Sequence, residues 1–343
     1  MVSTGFLASV QNYLSEQPKL SLALTLVGGL VVAKFILKTL LVFAEIFVLP
    51  GTSLKKYGAK KGAWAVVTGA SDGIGKEFSL QLAEQGFNIV LVARNAAKLN
   101  EVKDEILNNK RSSAQVDVKV HVIDFSTDDL TEYSKLGAAV QNLDVGILVN
   151  NVGRSHAMPV DFIDLDAEEM EGILKVNINA NLRVTKSVLP TLLKRKNGLI
   201  INVGSFSGST PCAMLQTYSA SKQFLSSWSD ALAQELKPKG IDVQLLNTYF
   251  VVSKLSKIRR PSLFIPTPHP YVKSVLSKLG VPAGAKWTGR PSTTTPYWSH
   301  AIMDWAMNNV LRSKPLEMAF NLSTQKDFRR RALRKQERER KGI

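Results

Sequence analysis

A tyrosine and a lysine near the middle of the 343-residue chain have the types and spacing needed for acid catalysis. Tyr218 and Lys222 are the first and last residues of the segment YSASK. They are four residues apart, so in a helix they share one face. A phenol is a weak acid at neutral pH, and a neighbouring ammonium stabilises the phenolate, which predicts a lowered pKa for Tyr218. The tyrosine then becomes a usable general acid.

Ser205, thirteen residues before Tyr218, supplies a third polar group. It ends the apolar run GLIINVGS, which is typical of a buried strand. A hydroxyl at a strand end can donate a second hydrogen bond to the substrate oxygen, and so polarise a carbonyl for attack by hydride. A tyrosine and a lysine at this spacing are more often surface residues, so the interpretation depends on the rest of the chain.

The composition is that of a globular protein, with 45% hydrophobic and 21% charged residues. The length fits one large α/β domain with extensions or two domains. The single cysteine, Cys212, excludes an intrachain disulfide and suits a small buried residue in a reducing compartment. The four histidines lack metal-ligand spacing, so we predict no metal site.

The net charge of +16 is concentrated partly in the C-terminal segment RRRALRKQERERKGI. We predict a basic tail over residues 328–343 that faces an anionic membrane surface. Nucleic acid is the other partner of such charge, but no interleaved aromatic and basic pattern accompanies it. We therefore predict no nucleic-acid binding.

An apolar run over residues 20–49, after an N-terminal tail of residues 1–19, predicts a transmembrane helix. Lys34, Lys38 and Glu45 interrupt the run. A cleaved signal peptide is the alternative, but the run is long and lacks a basic start and a clean cleavage pattern. The lysines that follow it favour a cytosolic position for the rest of the chain, while a single span and a bent hairpin both remain open.

A glycine-rich turn follows the first predicted strand, AWAVVTGA. Thr68, Gly69, Gly73 and Gly75 form the pattern T-G-x-x-x-G-x-G where the strand passes into a helix. Glycines let the backbone approach a diphosphate, and a helix N-terminus supplies free N–H groups for it. The turn predicts a dinucleotide site, with a packing turn as the alternative.

The end of the second predicted strand favours NADPH over NADH. An NAD site carries a carboxylate there, whereas this chain has Ala93 followed by Arg94. The arginine is available for a 2′-phosphate; a solvated loop charge is the alternative interpretation.

Strands and helices alternate onward from Gly62, which predicts an α/β fold with a single Rossmann-type, doubly wound parallel sheet and helices on both faces. Ligands bind at the carboxyl ends of such strands. The candidate residues fall at those ends, namely Gly75, Arg94, Asp124, Gly153 and Ser205. Their coincidence is the strongest functional signal in the sequence.

These motifs together resemble the short-chain dehydrogenase/reductase family over residues 62–255. The resemblance implies that Tyr218 donates a proton to the carbonyl and that Lys222 lowers its pKa and binds the nicotinamide ribose. It also implies that Ser205 orients the carbonyl and that Asn177 holds a water of a proton relay. The implied cofactor contacts are Gly69, Ser71, Asp72, Gly73, Ile74, Gly75, Arg94, Asp124, Asn151, Gly153, Tyr218, Lys222, Val251 and Ser253.

The chain departs from that family after the predicted strand that ends near Asn247. Thr248 and Tyr249 stand where the family has Pro-Gly. The contacts carried over to Val251 and Ser253 rest on less sequence support for this reason.

A narrower resemblance is to membrane-bound 3-ketoacyl-CoA reductases of very-long-chain fatty acid elongation, fungal ones in particular, which are related to 17β-hydroxysteroid dehydrogenase type 12. It implies NADPH-dependent reduction of a 3-oxoacyl-CoA to the (3R)-3-hydroxyacyl-CoA, the second step of the microsomal cycle. It also implies an endoplasmic reticulum membrane location, a catalytic domain facing the cytosol, and a condensing enzyme, a dehydratase and an enoyl reductase as partners. Residues 256–327 would then be a substrate-binding and membrane-proximal part.

Two alternatives remain at this stage. A membrane steroid or retinol dehydrogenase would use the same fold and chemistry with a different pocket. A membrane-anchored scaffold without activity would keep the fold, but the joint presence of the four catalytic candidates argues against it. Residues 253–295 fit either a cover over the sheet edge or a basic, amphipathic segment for substrate and bilayer.

Overall fold

A seven-stranded parallel sheet forms the centre of the protein in the computed structural model, which describes residues 4–109 and 115–342. The strands are β1 Trp64–Thr68, β2 Asn88–Ala93, β3 Val118–Val122, β4 Val145–Asn150, β5 Gly198–Val203, β6 Ile241–Leu246 and β7 Thr293–Thr294. Their order across the sheet is β3-β2-β1-β4-β5-β6-β7. The predicted doubly wound parallel sheet is confirmed.

Helices connect the strands and extend beyond them at both ends of the chain. They are α1 Thr4–Glu16, α2 Pro18–Phe47, α3 Gly73–Glu84, α4 Ala96–Leu107, α5 Leu130–Val140, α6 Ala167–Leu174, α7 Ala180–Arg195, α8 Phe206–Ser209, α9 Gln216–Leu236, α10 Pro268–Ser277, α11 Trp298–Ala306 and α12 Lys314–Lys341. Residues 1–3 of the predicted N-terminal tail and residue 343 of the predicted basic tail lie outside the described residues.

Apolar layers cover both faces of the sheet. Helices α3, α4 and α10 contribute to one layer, and α5, α7 and α9 contribute to the other. Along β1, Val67 belongs to the first layer and Val66 to the second, and both are fully buried. This two-sided burial explains why the strands read as continuous apolar runs rather than as alternating patterns.

The chain order reverses between the neighbouring strands β1 and β4. From β1 the chain proceeds to β2 and β3 on one side, and from β4 it proceeds to β5 and β6 on the other. The connections therefore diverge at this point and leave a crevice at the carboxyl ends of the two strands, where open α/β sheets bind ligands.

Helix α2 is long and apolar enough to span a membrane. Its 30 residues would extend about 45 Å at ~1.5 Å per residue. None of its most apolar 18-residue window is buried against the rest of the protein. The predicted span of residues 20–49 lies almost entirely within this helix.

The C-terminal end of α2 packs on the domain. Val42 is fully buried in a small apolar cluster with Trp305 of α11. The rings of Phe35 and Trp305 lie 5.9 Å apart between centroids. Glu45 is buried and pairs with Lys286. The acidic residue that interrupts the apolar run is therefore part of this docking contact.

The segment after residue 255 covers and extends the sheet. Tyr271, Val272 and Val275 of α10 are buried against the layer that contains α3. Strand β7 adds an edge beside β6. Of the two interpretations left open for residues 253–295, these contacts favour a cover over the sheet. Trp305 is a core aromatic, whereas Trp298 is about one-third exposed.

We predict that Trp305→Ala loosens the contact between α2 and the domain. The substitution removes a buried indole and leaves a cavity beside α2, so we expect a loss of about 3 kcal/mol in the free energy of unfolding. Thermal unfolding in detergent measures this loss, with Trp298→Ala as the matched control. Equal melting temperatures for the two variants would contradict the docking role of Trp305.

Candidate active site

The turn between β1 and α3 has glycines where a side chain would not fit. Gly69 and Gly73 have φ angles of +65° and +57°, in the left-handed region that favours glycine. A Cβ on Gly75 would lie 2.3 Å from the Gly69 carbonyl oxygen. The carboxylate of Asp72 accepts a hydrogen bond from the Gly73 N–H at 2.8 Å. The remaining predicted contacts of this turn, Ser71 and Ile74, are partly buried.

The residues after β4 lie against the same turn. The side-chain amide of Asn151 donates to the Thr68 carbonyl at 3.0 Å. A Cβ on Gly153 would lie 3.6 Å from both the Asn177 Oδ1 and the Lys222 Nζ. The turn after β4 therefore lies between the glycine turn and the catalytic candidates.

Arg94 and Asp124 follow β2 and β3 at the same edge of the sheet, and both are exposed. Hydrogen bonds from the Ser126 hydroxyl and N–H lower the pKa of Asp124, and the charge of Arg94 lowers it further. The two side chains are thus near enough to interact electrostatically. The adenine contact of Asp124 stays a prediction.

The segment after β6 returns to the glycine turn. A Cβ on Gly73 would lie 3.7 Å from the Ser253 Cβ. Lys254 pairs with Asp72 at 2.7 Å. Val251 is buried in the apolar layer below. The backbone thus brings Ser253 beside the turn although the Pro-Gly of the resembling family is absent.

Thr248 and Tyr249, which follow β6, contact Tyr271 of α10 and Phe206, which follows β5. The Thr248 hydroxyl lies 2.6 Å from the Tyr271 hydroxyl, and the Thr248 carbonyl accepts from the Phe206 N–H at 2.9 Å. The ring of Tyr249 stacks on that of Phe206 at 4.5 Å. These contacts fix the ends of β6 and β5 relative to each other.

Ser205, Tyr218 and Lys222 converge beyond the end of β5. The Ser205 side chain lies close enough to the Tyr218 phenol to lower its pKa by hydrogen bonding. The Lys222 Nζ donates to the Val203 carbonyl at 2.8 Å and lies 5.8 Å from the centroid of the Tyr218 ring. Lys222 is buried, whereas Tyr218 and Ser205 are partly buried. The group can therefore offer two hydroxyls to one oxygen atom.

The pKa of Tyr218 differs in direction from the sequence-based expectation. Burial raises it, and the hydrogen bond from Ser205 opposes that effect. Burial also lowers the pKa of Lys222 to about 8. Burial thus disfavours the charged forms of both groups, the phenolate of Tyr218 and the ammonium of Lys222.

Asn177 holds two segments of the site together. It lies in a single π-helical turn, Lys175–Asn179, between α6 and α7. Its side-chain oxygen accepts from the Arg154 N–H at 2.8 Å, and its amide donates to the Arg154 carbonyl and the Ser221 hydroxyl, both at 2.9 Å. The side chain is fully buried, so its observed contacts are positional, and the water-holding role stays a prediction.

A family model described as short chain dehydrogenase matches residues 63–262. The chain belongs to the short chain dehydrogenase family. It is therefore an oxidoreductase, and membership of this family implies a nicotinamide cofactor.

Two fungal relatives in this family match nearly the whole chain, and both are named very-long-chain 3-oxoacyl-CoA reductase. The protein of Coprinopsis cinerea is 53% identical over 334 residues, which cover 97% of this chain and 97% of the relative. The protein of Laccaria bicolor is 52% identical over 326 residues, which cover 95% of each.

Solved structures share the fold at lower identity. One solved structure comes from work on the stereoselectivity of 7beta-hydroxysteroid dehydrogenase. It is 23% identical to this chain with a TM-score of 0.64, and the match covers 79% of this chain and 99% of the other. A short-chain dehydrogenase from Sphingobium yanoikuyae in complex with NADPH is 23% identical, with a TM-score of 0.57, and covers 73% and 96%.

The glycine turn fits the dinucleotide that the short chain dehydrogenase family implies. The turn leads into the N-terminus of α3, where helix N–H groups suit a diphosphate, and the nearest described atom beyond this turn and helix to a Cβ on Gly73 would be the Ser253 Cβ, at 3.7 Å. Gly153 lies between this turn and Lys222, since a Cβ there would be 3.6 Å from the lysine Nζ. The residues present are thus compatible with a nicotinamide dinucleotide.

His156 also belongs to this site, although the histidines show no metal-ligand spacing that would single it out in the sequence. The imidazole is buried, and its Nε2 accepts from the Tyr218 N–H at 3.4 Å. Burial lowers its pKa, which favours this neutral acceptor form. The available signal was its position shortly after Asn151 and Gly153, which places it at the same sheet edge.

We predict that Lys222 makes the stability of the cofactor-free protein depend on pH. Its pKa is about 8 when folded and 10.5 when exposed, so between these values the unfolded chain binds more protons. The free energy of unfolding therefore rises with pH through this window, by about 3 kcal/mol. Denaturant unfolding at both ends of the window measures it, with Lys222→Met as the reference that lacks the effect. A constant difference between the two proteins would contradict the lowered pKa.

Proposed function

We propose that this protein reduces a very-long-chain 3-oxoacyl-CoA to the (3R)-3-hydroxyacyl-CoA with NADPH. The observation that carries the proposal is the 52% and 53% identity, over nearly the whole chain, to two relatives named for this activity. The convergence of Ser205, Tyr218 and Lys222 at the crevice supports the same reaction type.

In this proposal the two hydroxyls receive the 3-oxo oxygen. Ser205 interacts with the Tyr218 phenol, so an oxygen placed between the two hydroxyls would accept a hydrogen bond from each. When bound, NADPH supplies a hydride to the carbonyl carbon. Tyr218 gives its proton to the oxygen, which completes the alcohol, and Ser205 orients the carbonyl.

Lys222 and Asn177 support the phenol. The raised pKa of Tyr218 keeps it protonated at neutral pH, as a proton donor requires. The Lys222 ammonium lies close enough to stabilise the phenolate that remains after the transfer. Asn177 fixes the residue before Lys222 through the Ser221 hydroxyl, and so acts as a positioning residue.

The choice of NADPH rests on Arg94. No carboxylate occupies the end of β2, and Arg94 is exposed there for a 2′-phosphate. The proposed cofactor contacts further include the glycine turn, Asp124, Asn151, Gly153, Val251 and Ser253.

The proposal extends to a location in the endoplasmic reticulum membrane, with α2 as the anchor and the catalytic domain in the cytosol. The lysines after α2, Lys55, Lys56, Lys60 and Lys61, support the cytosolic side. The proposed partners are the condensing enzyme, the dehydratase and the enoyl reductase of the same elongation cycle.

We predict that Tyr218→Phe abolishes reduction of a long-chain 3-oxoacyl-CoA. The variant loses the proton donor, so we expect kcat to fall about 10²- to 10⁴-fold. NADPH oxidation by the purified protein in detergent measures the rate, and a fluorescence titration with NADPH checks that cofactor binding is kept. Wild-type protein that turns over a 17-ketosteroid but no acyl-CoA would overturn the proposed substrate.

We predict that Arg94→Ala reduces the preference for NADPH over NADH about tenfold or more, because it removes a charged hydrogen bond to the 2′-phosphate. The ratio of kcat/KM for the two cofactors measures this preference. Arg259→Ala is the control, since Arg259 is also exposed but lies in the segment after β6. An unchanged ratio in Arg94→Ala would show that another group selects the cofactor.

A further inference from the structure

Helix α12 is anchored beside the active site by its first half. Glu317, Asn321 and Gln325 lie on one face of the helix and are buried. The Thr210 hydroxyl donates to Glu317 at 2.6 Å, and the Gln325 amide approaches the Cys212 sulfur at 3.7 Å. Both partners lie in the segment between Ser205 and Tyr218. The second half of α12 is therefore held over the same edge of the sheet.

That second half lines a groove of about 420 Å³. Its walls are Asp161, Met214, Lys326, Arg329, Arg330, Leu333, Arg334 and Glu337. The spacing of the α12 residues places them on one helix face. Part of the basic charge that the sequence placed in a membrane-facing tail is thus gathered in a concave site.

The charges of the groove are not balanced. Arg329 pairs with Asp161 at 2.6 Å, and Arg330 pairs with Asp327. Lys326 and Arg334 are exposed and have no ion pair among the residues that the structure describes. Two cations are therefore available to an anionic ligand.

The groove is continuous with the catalytic loop that follows β4. The Val160 N–H donates to the Met214 carbonyl at 2.9 Å, which joins two of its borders. In the loop after β4, the Ala157 carbonyl accepts from Lys257 of the segment after β6, and His156 accepts from the Tyr218 N–H. The loop that borders the groove at Asp161 therefore also places His156 against Tyr218.

We propose that Lys326 and Arg334 bind the phosphate groups of the coenzyme A head of the substrate. The proposal rests on the proposed function, because it takes the substrate to be an acyl-CoA. Arginine and lysine are the side chains suited to phosphate. The groove holds the nucleotide head outside the crevice while the flexible pantetheine arm carries the 3-oxo group to Tyr218. An anionic lipid headgroup offers the same phosphate chemistry and is separated from coenzyme A by the experiment.

The test compares the double variant Lys326→Gln/Arg334→Gln with a matched control, Arg331→Gln/Arg338→Gln. The control removes the same charge from exposed positions of α12 that do not line the groove. The proteins are purified in full length in a neutral detergent and assayed at saturating NADPH. The substrates are a 3-oxoacyl-CoA and the pantetheine thioester of the same 3-oxoacyl chain, which lacks the nucleotide.

We expect the groove variant to raise KM for the CoA thioester about tenfold, with kcat unchanged, because it loses two exposed contacts to phosphate. The KM for the pantetheine thioester stays at the wild-type value, and the control variant resembles wild type with both substrates. Higher ionic strength reduces the difference between the variants.

Equal KM values of the two variants for the CoA thioester would overturn the proposal. If the groove variant instead loses binding to vesicles of phosphatidylcholine with phosphatidylserine, while KM for the CoA thioester is unchanged, the groove is a lipid site and the proposal is again wrong. Failure of the proposed function is distinguishable, since wild-type protein would then reduce neither thioester.

Discussion

The buried hydroxyl of Thr68 joins the ends of the two strands between which the site opens. It donates to the Val149 carbonyl at 3.2 Å and accepts from the N–H groups of Asn151 and Val152 at 2.9 and 3.1 Å. At this reversal point the chain leaves the sheet on both sides, so few regular ladder bonds remain to hold the two ends in register. The hydrogen bonds of the Thr68 hydroxyl take the place of ladder bonds. They hold the glycine turn after β1 and the turn after β4 at a fixed separation, and the other residues of the site pack against these two turns.

Polar contacts inside the protein hold the catalytic candidates in place. Burial of Lys222 costs stability, since the folded protein lowers its pKa to about 8 and offers it the Val203 carbonyl as the described partner. A buried amide network lies directly below, in which Asn150 donates to Asn202 at 2.9 Å and Asn202 donates to Ser229 at 2.8 Å. The network links β4, β5 and α9, so the helix that carries Tyr218 and Lys222 is set against the strand that carries Ser205.

The parts of the site that could be predicted from sequence are those in which local chemistry and topology agree. Gly69, Gly73 and Gly75 could be predicted because a turn without side chains between strand and helix has few other uses. Ser205 and Arg94 could be placed because strand ends of a parallel sheet share one edge. The direction of the Tyr218 pKa could not, because it depends on how deeply the phenol is buried, and burial is a property of the whole fold.

Long-range pairs were also beyond the reach of sequence patterns. In the sequence, Glu45 is an unexplained charge in an apolar run. In the structure it pairs with Lys286, which lies 241 residues later. Lys254 reads as one more basic residue of the segment after β6 until it pairs with Asp72 of the glycine turn. The basic residues near the C-terminus indicate a membrane-facing tail, and the sequence does not show that Glu317 of the same helix contacts Thr210. In each case the sequence specifies the residue types, but only the packed tertiary structure specifies which residues meet.

A series of contacts connects the apolar helix α2 to the candidate active site. Glu45 pairs with Lys286, and the nearby Ala283 forms a bridge with Thr295 directly after β7. Strand β7 pairs with β6, and Asp304 of α11 accepts from the Asn247 amide at the end of β6 at 3.1 Å. Since β6 leads into the segment that reaches the glycine turn, a membrane position imposed on α2 also fixes the orientation of the crevice relative to the bilayer.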